Sequence, residues 1–384
     1  MRDVAIVGRG TTTYGVHDDG IKDLATKAVA RALDSSGLER SAVEALSLGN
    51  FAAGMLEGQE LLAALVADAV GLEDIPVMKT EGACASSGIA FHQARQQIAM
   101  GVHDVVVVVG VEKMTGVPTA EFTQALAAAA DGTTEGQTGL TFPGFYGLFT
   151  SRYLHEYSVD REDISKVAVK NRRNAAENPR ARFREPITID DVMESEPIAD
   201  PLRLYDCCPA ADGATAVVLT ASDMAPSVTS DPIEVLATAH TSGRSGAYRY
   251  DDLTTFEATR TAASRVYSEA DVTPADIDVV ELHDCFSSAE VGDSEDLRFF
   301  PKGEGAAAAA AGDTAVDGEI PINPSGGLLS KGHPVGATGL GQIYEICRQL
   351  NGDHENQVAD AQTGLTHNLG GSGAVCTVSV LGRK

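Results

Sequence analysis

Two loops, each placed before a predicted helix, carry side chains that could do nucleophilic chemistry. Cys84 lies in "EGACASSG", where the free N–H groups of a helix start favour a thiolate over a thiol. A small buried core cysteine fits the same context. His333 lies in "GGLLSKGHPVGATG", where proline stiffens the turn and glycines permit close packing. A lone histidine is more often structural, but His333 and Cys84 occupy matching positions of an internal repeat.

The stretch "DIDVVELHDCFSS" ends a short apolar run in an imidazole and a thiol, His283 and Cys285. The matching loop of the repeat, "GNFAAG", has no titratable group, so chemistry has been added to one copy of a shared scaffold. Asn368 and the glycines of "HNLGGSG" could offer backbone N–H groups to an anion or form a plain turn. These histidines and cysteines match zinc by ligand type but lack the short paired spacings of structural zinc sites, so we expect no metal.

The repeat extends over most of the chain. Each half shows an amphipathic helix, a polar link, an apolar strand and a loop. "EGACASSGIAFHQARQQI" matches "SKGHPVGATGLGQIYEICRQL", and "DGATAVVLTAS" matches "GSGAVCTVSVLG". The β-branched strands indicate a layered α/β core. We predict two similar α/β halves, residues 1–115 plus 206–229 and residues 230–384, with an insertion, 116–205, that caps a site.

Composition narrows the class of protein. The 384 residues are 43% hydrophobic and can form sizeable cores. A net charge of −26 disfavours nucleic acid and anionic membrane as partners. Because salt screens such self-repulsion, we expect a halophilic origin. No run approaches the ~20 apolar residues of a membrane span, the start lacks signal-peptide anatomy, and the six cysteines form no disulfide framework, so we expect a cytoplasmic protein with reduced thiols.

These loops together resemble the thiolase superfamily, and more narrowly its sterol-carrier-protein type with the archaeal acetyl-CoA acetyltransferases. The matching segments span most of the chain: "ACASSG", "VGVEKM", "KNRRNAAENP", "DCCPAADGA", "HDCF", "GGLLSKGHPVGATG" and "HNLGGSGA". The better-known biosynthetic thiolases differ, with Asn-Glu-Ala-Phe in place of "HDCF" and Cys-x-Gly in place of "HNLGG". The resemblance implies a five-layered αβαβα architecture built from two pseudo-symmetric halves, with an inserted loop domain.

The resemblance also implies the roles of the candidate residues. Cys84 would be the acylated nucleophile and His333 the base that activates it. Cys285 would supply the second acid–base function, because Asn368 stands where other thiolases have their second cysteine.

Two oxyanion holes are implied in the same way. His283 would orient the water of the first hole, and His333 would supply its other donor. The backbone N–H groups of Cys84 and Gly370 would form the second hole, with Gly371 as the competing choice.

The implied reaction interconverts two acetyl-CoA with acetoacetyl-CoA plus CoA, or cleaves a longer 3-oxoacyl-CoA. Coenzyme A thioesters are then substrates, and no tightly bound cofactor is expected. The CoA nucleotide would lie along the insertion, where Arg172, Arg173 and Arg182 are candidates to bind its phosphates; solvated surface is the alternative for each.

Other functions and partners remain open from sequence. A related condensing enzyme, a ketosynthase or a hydroxymethylglutaryl-CoA synthase, is one alternative, and a non-catalytic acyl-CoA or lipid scaffold is another. The resemblance implies a homodimer or tetramer. It also implies a zinc-ribbon/OB-fold partner protein and hydroxymethylglutaryl-CoA synthase as an associated enzyme in a mevalonate-type isoprenoid pathway.

Overall fold

The computed structural model describes residues 1–383 of the chain. The strands of this part are β1 (Val4–Thr11), β2 (Ala45–Gly49), β3 (Val77–Thr80), β4 (Val105–Glu112), β5 (Pro197–Ala199), β6 (Leu202–Arg203), β7 (Gly213–Ala221), β8 (Ile233–Ser242), β9 (Val279–Glu281), β10 (Thr363–Gly370) and β11 (Val375–Gly382). The helices of this part are α1 (Ile21–Ser36), α2 (Ala53–Leu56), α3 (Leu62–Ala69), α4 (Ser86–Ala99), α5 (Thr119–Ala127), α6 (Phe142–Tyr157), α7 (Arg161–Ala175), α8 (Ile189–Glu194), α9 (Glu257–Ala270), α10 (Ser287–Asp296), α11 (Gly305–Ala311), α12 (Gly327–Lys331) and α13 (Thr338–Asn351).

Nine strands of the described residues form one sheet in the order β3-β2-β4-β7-β1-β8-β11-β10-β9. The first five strands of this order form one group and the last four form a second. In the first group β2 and β4 are parallel, and β7 is antiparallel to β4 and β1. The second group repeats this pattern: β9 and β10 are parallel, and β11 is antiparallel to β10 and β8. The groups meet where Ala5 and Ile6 of β1 pair with Glu234 and Ile233 of β8. The prediction of an α/β fold with two similar halves is confirmed.

The helices form layers on and between the two strand groups. α4 and α13 pack against each other and each contacts strands of both groups, so they form a central layer. α1 packs on the outer face of β1 and β7, and α9 packs on the outer face of β8 and β11. The sequence shows why strands here are covered on both faces: β4, "VVVVVGVE", is buried along its whole length, as expected for a strand inside a layered α/β core.

Residues 116–205 contain α5 to α8 and a small ribbon of β5 and β6. α7 packs against α10, α11 and α12 of the second half, and α6 packs against α10. The division of the chain into the three segments given above stays a prediction. Among the described residues, every helix is too short or too polar to traverse a lipid bilayer.

Candidate active site

A cavity of ≈ 160 Å³ is lined by residues of both halves and of the insertion. Its wall contains Cys84, His283, Cys285 and His333, which are the four side chains that the sequence singled out. The Cys84 sulfur and one ring nitrogen each of His283 and His333 lie within 4.8 Å of one another. The other lining residues are Met114, Phe122, Leu126, Phe142, Pro143, Tyr146, Cys207, Cys208, Pro209, Ala210, Phe286, Val335 and Gly371.

Parallel strands deliver these residues to one place. Cys84 follows the carboxyl end of β3, and His283 follows that of β9. Along the parallel β9–β10 ladder Thr366 lies opposite Glu281, and the same register carried two residues further puts Asn368 beside His283. The carboxyl ends of parallel strands are where α/β proteins usually place their ligand sites.

Glycines let the two central helices approach each other at their starts. Cys84 precedes α4, and His333 precedes α13. A side chain at Gly339 would come within 2.7 Å of the backbone nitrogen of Gly88, a distance that no real Cβ contact reaches. The small residues of "ACASSG" and "GHPVGATG" therefore permit the contact that brings Cys84 and His333 together.

Glu112, at the end of β4, ties the His333 loop to the first half. Its carboxylate accepts hydrogen bonds from the backbone N–H of Gly336 and of Phe51, both at 2.9 Å, and from the Asn50 side chain at 2.8 Å. Burial raises the pKa of Glu112 to about 7. The sequence contained this residue in "VGVEKM", but no role could be read from that motif.

The Cys84 sulfur is held as a thiol at neutral pH. Burial raises the pKa of Cys84 to about 12. The backbone N–H groups of Gly371 and of Cys84 itself lower the pKa through hydrogen bonds to the sulfur, but burial has the larger effect. The helix start by itself favours a thiolate, but desolvation of the charged sulfur outweighs it.

His333 is placed to accept a proton. Its Nδ1 lies 2.7 Å from the hydroxyl of Thr338, and that hydroxyl donates its proton to the Pro334 carbonyl at 3.0 Å. Because the hydroxyl proton is already used, Nδ1 must carry the ring proton and Nε2 keeps a free lone pair. Burial lowers the pKa of His333 to about 3, so the imidazole is neutral before reaction.

His283 has the opposite arrangement. The Nδ2 of Asn368 donates to the Nδ1 of His283 at 3.0 Å, and with the amide oriented in this way the ring proton sits on Nε2. Burial, followed by the nearby His333, lowers the pKa of His283 well below its usual range. The two rings lie 5.1 Å apart with an interplanar angle of 78°. Neutral His283 is thus a hydrogen-bond donor, whereas neutral His333 is an acceptor.

Cys285 is buried in the same cavity wall. Burial raises its pKa well above the usual range, and the hydroxyl of Tyr146 opposes this by donating to the sulfur. The Tyr146 ring stacks on Phe286 with centroids 4.6 Å apart. Tyr146 comes from the insertion, and nothing in the stretch "FPGFYGLF" signalled that this aromatic residue would reach a thiol.

Asp284, between His283 and Cys285, points away from the cavity chemistry. It accepts hydrogen bonds from the backbone N–H of Leu328 at 2.7 Å and of Leu329 at 3.2 Å, and from the Asn171 side chain at 2.7 Å. The motif therefore alternates two cavity residues with an anchor that fixes them against the start of α12.

The glycine run after Asn368 places Gly371, with a φ of 63°, on the cavity wall. Gly370 lies behind it, where a side chain would come within 2.4 Å of the Gly82 carbonyl oxygen. The Gly371 N–H contacts the Cys84 sulfur, and the assignment of Gly370 to the second oxyanion hole, with Gly371 as the competing choice, stays a prediction.

The three predicted CoA-binding arginines lie beside the cavity or on the surface. The Arg172 guanidinium lies 4.4 Å from the Phe183 ring centroid, and that of Arg182 lies 5.1 Å from the same centroid. Arg182 also donates to the carbonyl of Ala210, a cavity residue, whereas Arg173 is exposed. Within the described residues none of the three forms an ion pair.

Two further cysteines reach the cavity. Cys207 and Cys208 line it, and the Cys208 N–H donates to the Cys285 carbonyl at 3.0 Å, whereas Cys347 and Cys376 are fully buried in the core. Cys84, His283 and His333 also have the ligand types of a zinc site. His333 keeps a free lone pair on Nε2 that could bind a metal, whereas His283 carries its proton on Nε2 and would have to lose the hydrogen bond from Asn368 to become a ligand.

Comparison with known proteins gives the following similarities. Residues 4–223 match the model of the thiolase N-terminal domain, and residues 239–383 match that of the thiolase C-terminal domain-like family. An acetyl-CoA acetyltransferase of Methanothermobacter thermautotrophicus is 44% identical over 100% of both chains. The benzoylsuccinyl-CoA thiolase subunit BbsB of Thauera aromatica is 35% identical, covering 96% of this chain and 95% of that one.

Human sterol carrier protein 2 is 33% identical and covers 98% of this chain, which spans 71% of that protein. Among solved structures, the "Ltp2-ChsH2(DUF35) aldolase" aligns with a TM-score of 0.87 at 28% identity, covering 99% of this chain and 98% of that one.

Proposed function

This chain belongs to the thiolase family and is an acyltransferase, and we propose that it interconverts two acetyl-CoA with acetoacetyl-CoA plus CoA, or cleaves a longer 3-oxoacyl-CoA, through an acyl group on Cys84. The observation that carries this proposal is the meeting of Cys84, His283 and His333 within 4.8 Å, with Cys285 in the same cavity wall. A covalent thioester followed by an enolate requires a nucleophile, a base, an oxyanion donor and a second acid.

In the cleavage direction, the Cys84 thiol gives its proton to Nε2 of His333 while the sulfur attacks the 3-oxo carbon. The pKa values support this coupling. The pKa of the Cys84 thiol is about 12 and that of His333 is about 3, so the proton moves from the sulfur to the imidazole only as the new C–S bond forms. The bond between the 2- and 3-carbons then breaks. The acyl group stays on Cys84, and the other fragment is the enolate of acetyl-CoA.

Cys285 completes the reaction. Its thiol protonates the enolate carbon, and the resulting thiolate accepts the proton of the incoming CoA thiol, which attacks the acyl-Cys84 carbonyl. The Cys84 sulfur leaves and recovers its proton from His333. A positioned acid–base group of this kind accelerates the reaction roughly 10²–10⁴-fold. The hydroxyl of Tyr146, which donates to the Cys285 sulfur, stabilises the transient negative charge on Cys285.

Two sets of donors would stabilise the negative oxygens. Nε2–H of His283, acting through the water that the family resemblance implies, and protonated His333 face one carbonyl oxygen. The backbone N–H groups of Cys84 and Gly370 would face the other, with Gly371, whose N–H contacts the Cys84 sulfur, as the competing choice. Each such donor lowers the barrier by about 3 kcal/mol in a site closed to solvent.

Coenzyme A would bind along the insertion. Arg172, Arg173 and Arg182 form no ion pair within the described residues, on a chain with a net charge of −26, and arginine is suited to bidentate phosphate contacts. The contact of Arg182 with Ala210 supports a path from a phosphate site to the cavity.

The proposal extends to the oligomeric state, the partner proteins and the cellular environment of this chain. β3 is an edge strand of the sheet, and its Val77 and Met78 are 37% and 36% exposed, which favours pairing with a second copy. The aldolase neighbour is named together with a DUF35 component, and we propose a zinc-ribbon/OB-fold partner here, with hydroxymethylglutaryl-CoA synthase of an isoprenoid pathway as an associated enzyme. The acidic composition and free cysteines support a salt-rich cytoplasm.

The direct test is thiolysis of acetoacetyl-CoA by free CoA. The native chain should release acetyl-CoA, and Cys84→Ala should not. Cys347→Ala, which removes a buried thiol of α13 from the core, is the matched control and should retain activity. A native chain that is folded but leaves acetoacetyl-CoA and longer 3-oxoacyl-CoA thioesters intact would contradict the proposal.

A further inference from the structure

Lys331 is a buried lysine in the same motif as His333. It is the last residue of α12, lies two residues before His333, and is only 3% exposed. Its ammonium nitrogen has no hydrogen-bond partner within the described residues. A buried cation costs free energy unless opposite charges compensate it, so the neighbours of this side chain must account for its place in the core.

Two buried glutamates supply the opposite charge. The Lys331 Nζ lies 3.9 Å from Oε2 of Glu281 and 3.6 Å from Oε1 of Glu345. Glu345, on α13, has a second cationic partner, because the Arg180 guanidinium lies 3.2 Å from its carboxylate. Glu281 forms an ion pair with no lysine or arginine other than Lys331 in the part of the chain that the structure describes. The charge of Glu281 is therefore balanced by Lys331.

Glu281 stands in the same relation to the other histidine. It is the last residue of β9 and lies two residues before His283. Its carboxylate is fully buried and accepts hydrogen bonds from the backbone N–H of Ser325 at 3.0 Å and from its hydroxyl at 2.7 Å. Burial raises the pKa of Glu281, and the Lys331 ammonium opposes this rise. The ion pair thus joins the two segments that lead to His283 and His333.

Gly332 is the single residue between the buried lysine and the cavity histidine. Its φ of 109° lies in the region that favours glycine. A side chain at this position would come within 2.9 Å of the Ala211 Cβ. Because the connection is one residue long and closely packed, a displacement of Lys331 is passed on to His333.

Stability alone does not explain a buried lysine–glutamate pair. Replacing such a pair by uncharged side chains of similar size is often neutral or stabilising, because desolvation of the two charges offsets their attraction. This pair precedes, by two residues in each segment, two histidine rings that lie 5.1 Å apart. A role in the geometry of the two rings accounts for its position.

We propose that Lys331 and Glu281 are positioning residues, which hold the rings of His283 and His333 at the separation that the reaction requires. Neither side chain lines the cavity, so both act through the histidines. The inference rests on the proposed thiolase function and adds two residues to its machinery. Both histidines act while the carbon–carbon bond breaks and Cys84 is acylated, so acylation is the step that depends on the pair.

The test uses the full chain with Lys331→Met and Glu281→Gln combined, which removes both charges and keeps side chains of similar length. The melting temperature should stay close to that of the native chain. The kcat of acetoacetyl-CoA thiolysis, and the rapid-quench rate of Cys84 acylation, should fall at least about tenfold. KM should be unchanged, because neither substitution touches a CoA contact.

Arg180→Met, which removes the other cation from Glu345, is the matched control and should keep the native kcat. Glu281→Gln alone leaves Lys331 its contact with Glu345 and should show the same loss of kcat, also where the combined variant does not fold. Native kcat in Glu281→Gln, or an equal loss in Arg180→Met, would overturn the inference.

A crystal structure of Glu281→Gln reports the geometry without turnover. The rings of His283 and His333 should be displaced from their native separation by about 1 Å, and an unchanged separation would overturn the inference while leaving thiolysis by the native chain unaffected. Displaced rings in the variant, together with a native chain that does not cleave acetoacetyl-CoA, would support the positioning role and contradict the proposed reaction.

Discussion

Asn368 and His283 are joined by a hydrogen bond of 3.0 Å between Nδ2 and Nδ1, which links the ends of two parallel strands. Together with the bond of His333 to Thr338, it gives the two neighbouring imidazoles opposite proton positions. One ring therefore donates to the cavity while the other accepts, and the proposed reaction depends on this difference.

Asn368→Ala should slow thiolysis by up to about 10²-fold, because His283 loses the bond that keeps its ring proton on Nε2. The loss should fall on kcat more than on KM, since CoA contacts are untouched. Thr363→Ala, at the other end of the same strand, is the control and should behave as the native chain. Full activity of Asn368→Ala would show that the proton position on His283 is set elsewhere.

Tyr146→Phe should reduce the turnover rate about tenfold while leaving acylation of Cys84 unchanged, because the lost hydroxyl bonds to Cys285 rather than to Cys84. Rapid-quench measurement of acyl-enzyme formation and of its release by CoA separates the two steps. The comparison variant is Tyr157→Phe in the same helix, whose hydroxyl contacts Thr254. If Tyr146→Phe slowed acylation of Cys84 and left release of the acyl group by CoA unchanged, Tyr146 would act in acylation and the prediction would be contradicted.

Alkylation of Cys84 by iodoacetamide should become about tenfold faster per pH unit from pH 7 to pH 10. The pKa of Cys84 is raised to about 12, so the thiolate is a small fraction throughout this range and grows with each unit. His333, with a pKa lowered to about 3, stays neutral over this range, so its titration does not change the alkylation rate. Peptide mass spectrometry reports the modified residue. A plateau at neutral pH would reveal a preformed thiolate–imidazolium pair instead.

Chelation should leave thiolysis unchanged. Cys84, His283 and His333 have the ligand types of zinc, but each has a role in the proposed reaction that a metal would block, because it would occupy the Cys84 sulfur and the Nε2 lone pair of His333 and would displace the Nε2 proton of His283. The measurement is activity after dialysis against EDTA, alongside metal analysis of the purified chain. Activity lost on dialysis and restored by added zinc would contradict the proposed roles.

Much of the site was predictable because its residues mark matching ends of a repeat. The repeat gave Cys84 and His333 equivalent positions, and the absence of titratable groups in the first-half loop set His283 and Cys285 apart. Residues that act by contacting these four side chains do not stand at matching positions of the repeat, so the sequence did not single them out. Thr338 matters through a single hydrogen bond and Tyr146 through a contact between distant segments, and sequence spacing does not encode either.

The pKa of Cys84 could not be predicted from the sequence for a related reason. The helix start that favours a thiolate is a local feature, and it is visible in the sequence. The burial that opposes it comes from both halves and the insertion closing around the sulfur, which only the folded chain shows. The same limit applies to Gly370 and Gly371, since backbone direction in a glycine run is set by what packs behind it.

Trapping of the acyl group tests the central claim most directly. Native chain and Cys285→Ala, each mixed with acetyl-CoA and then digested for mass spectrometry, should both carry one acetyl group on Cys84. Added CoA should remove it from the native chain at least about 10²-fold faster than from Cys285→Ala. An acetyl group found on another residue, or release at equal rates from both, would contradict the division of work between Cys84 and Cys285.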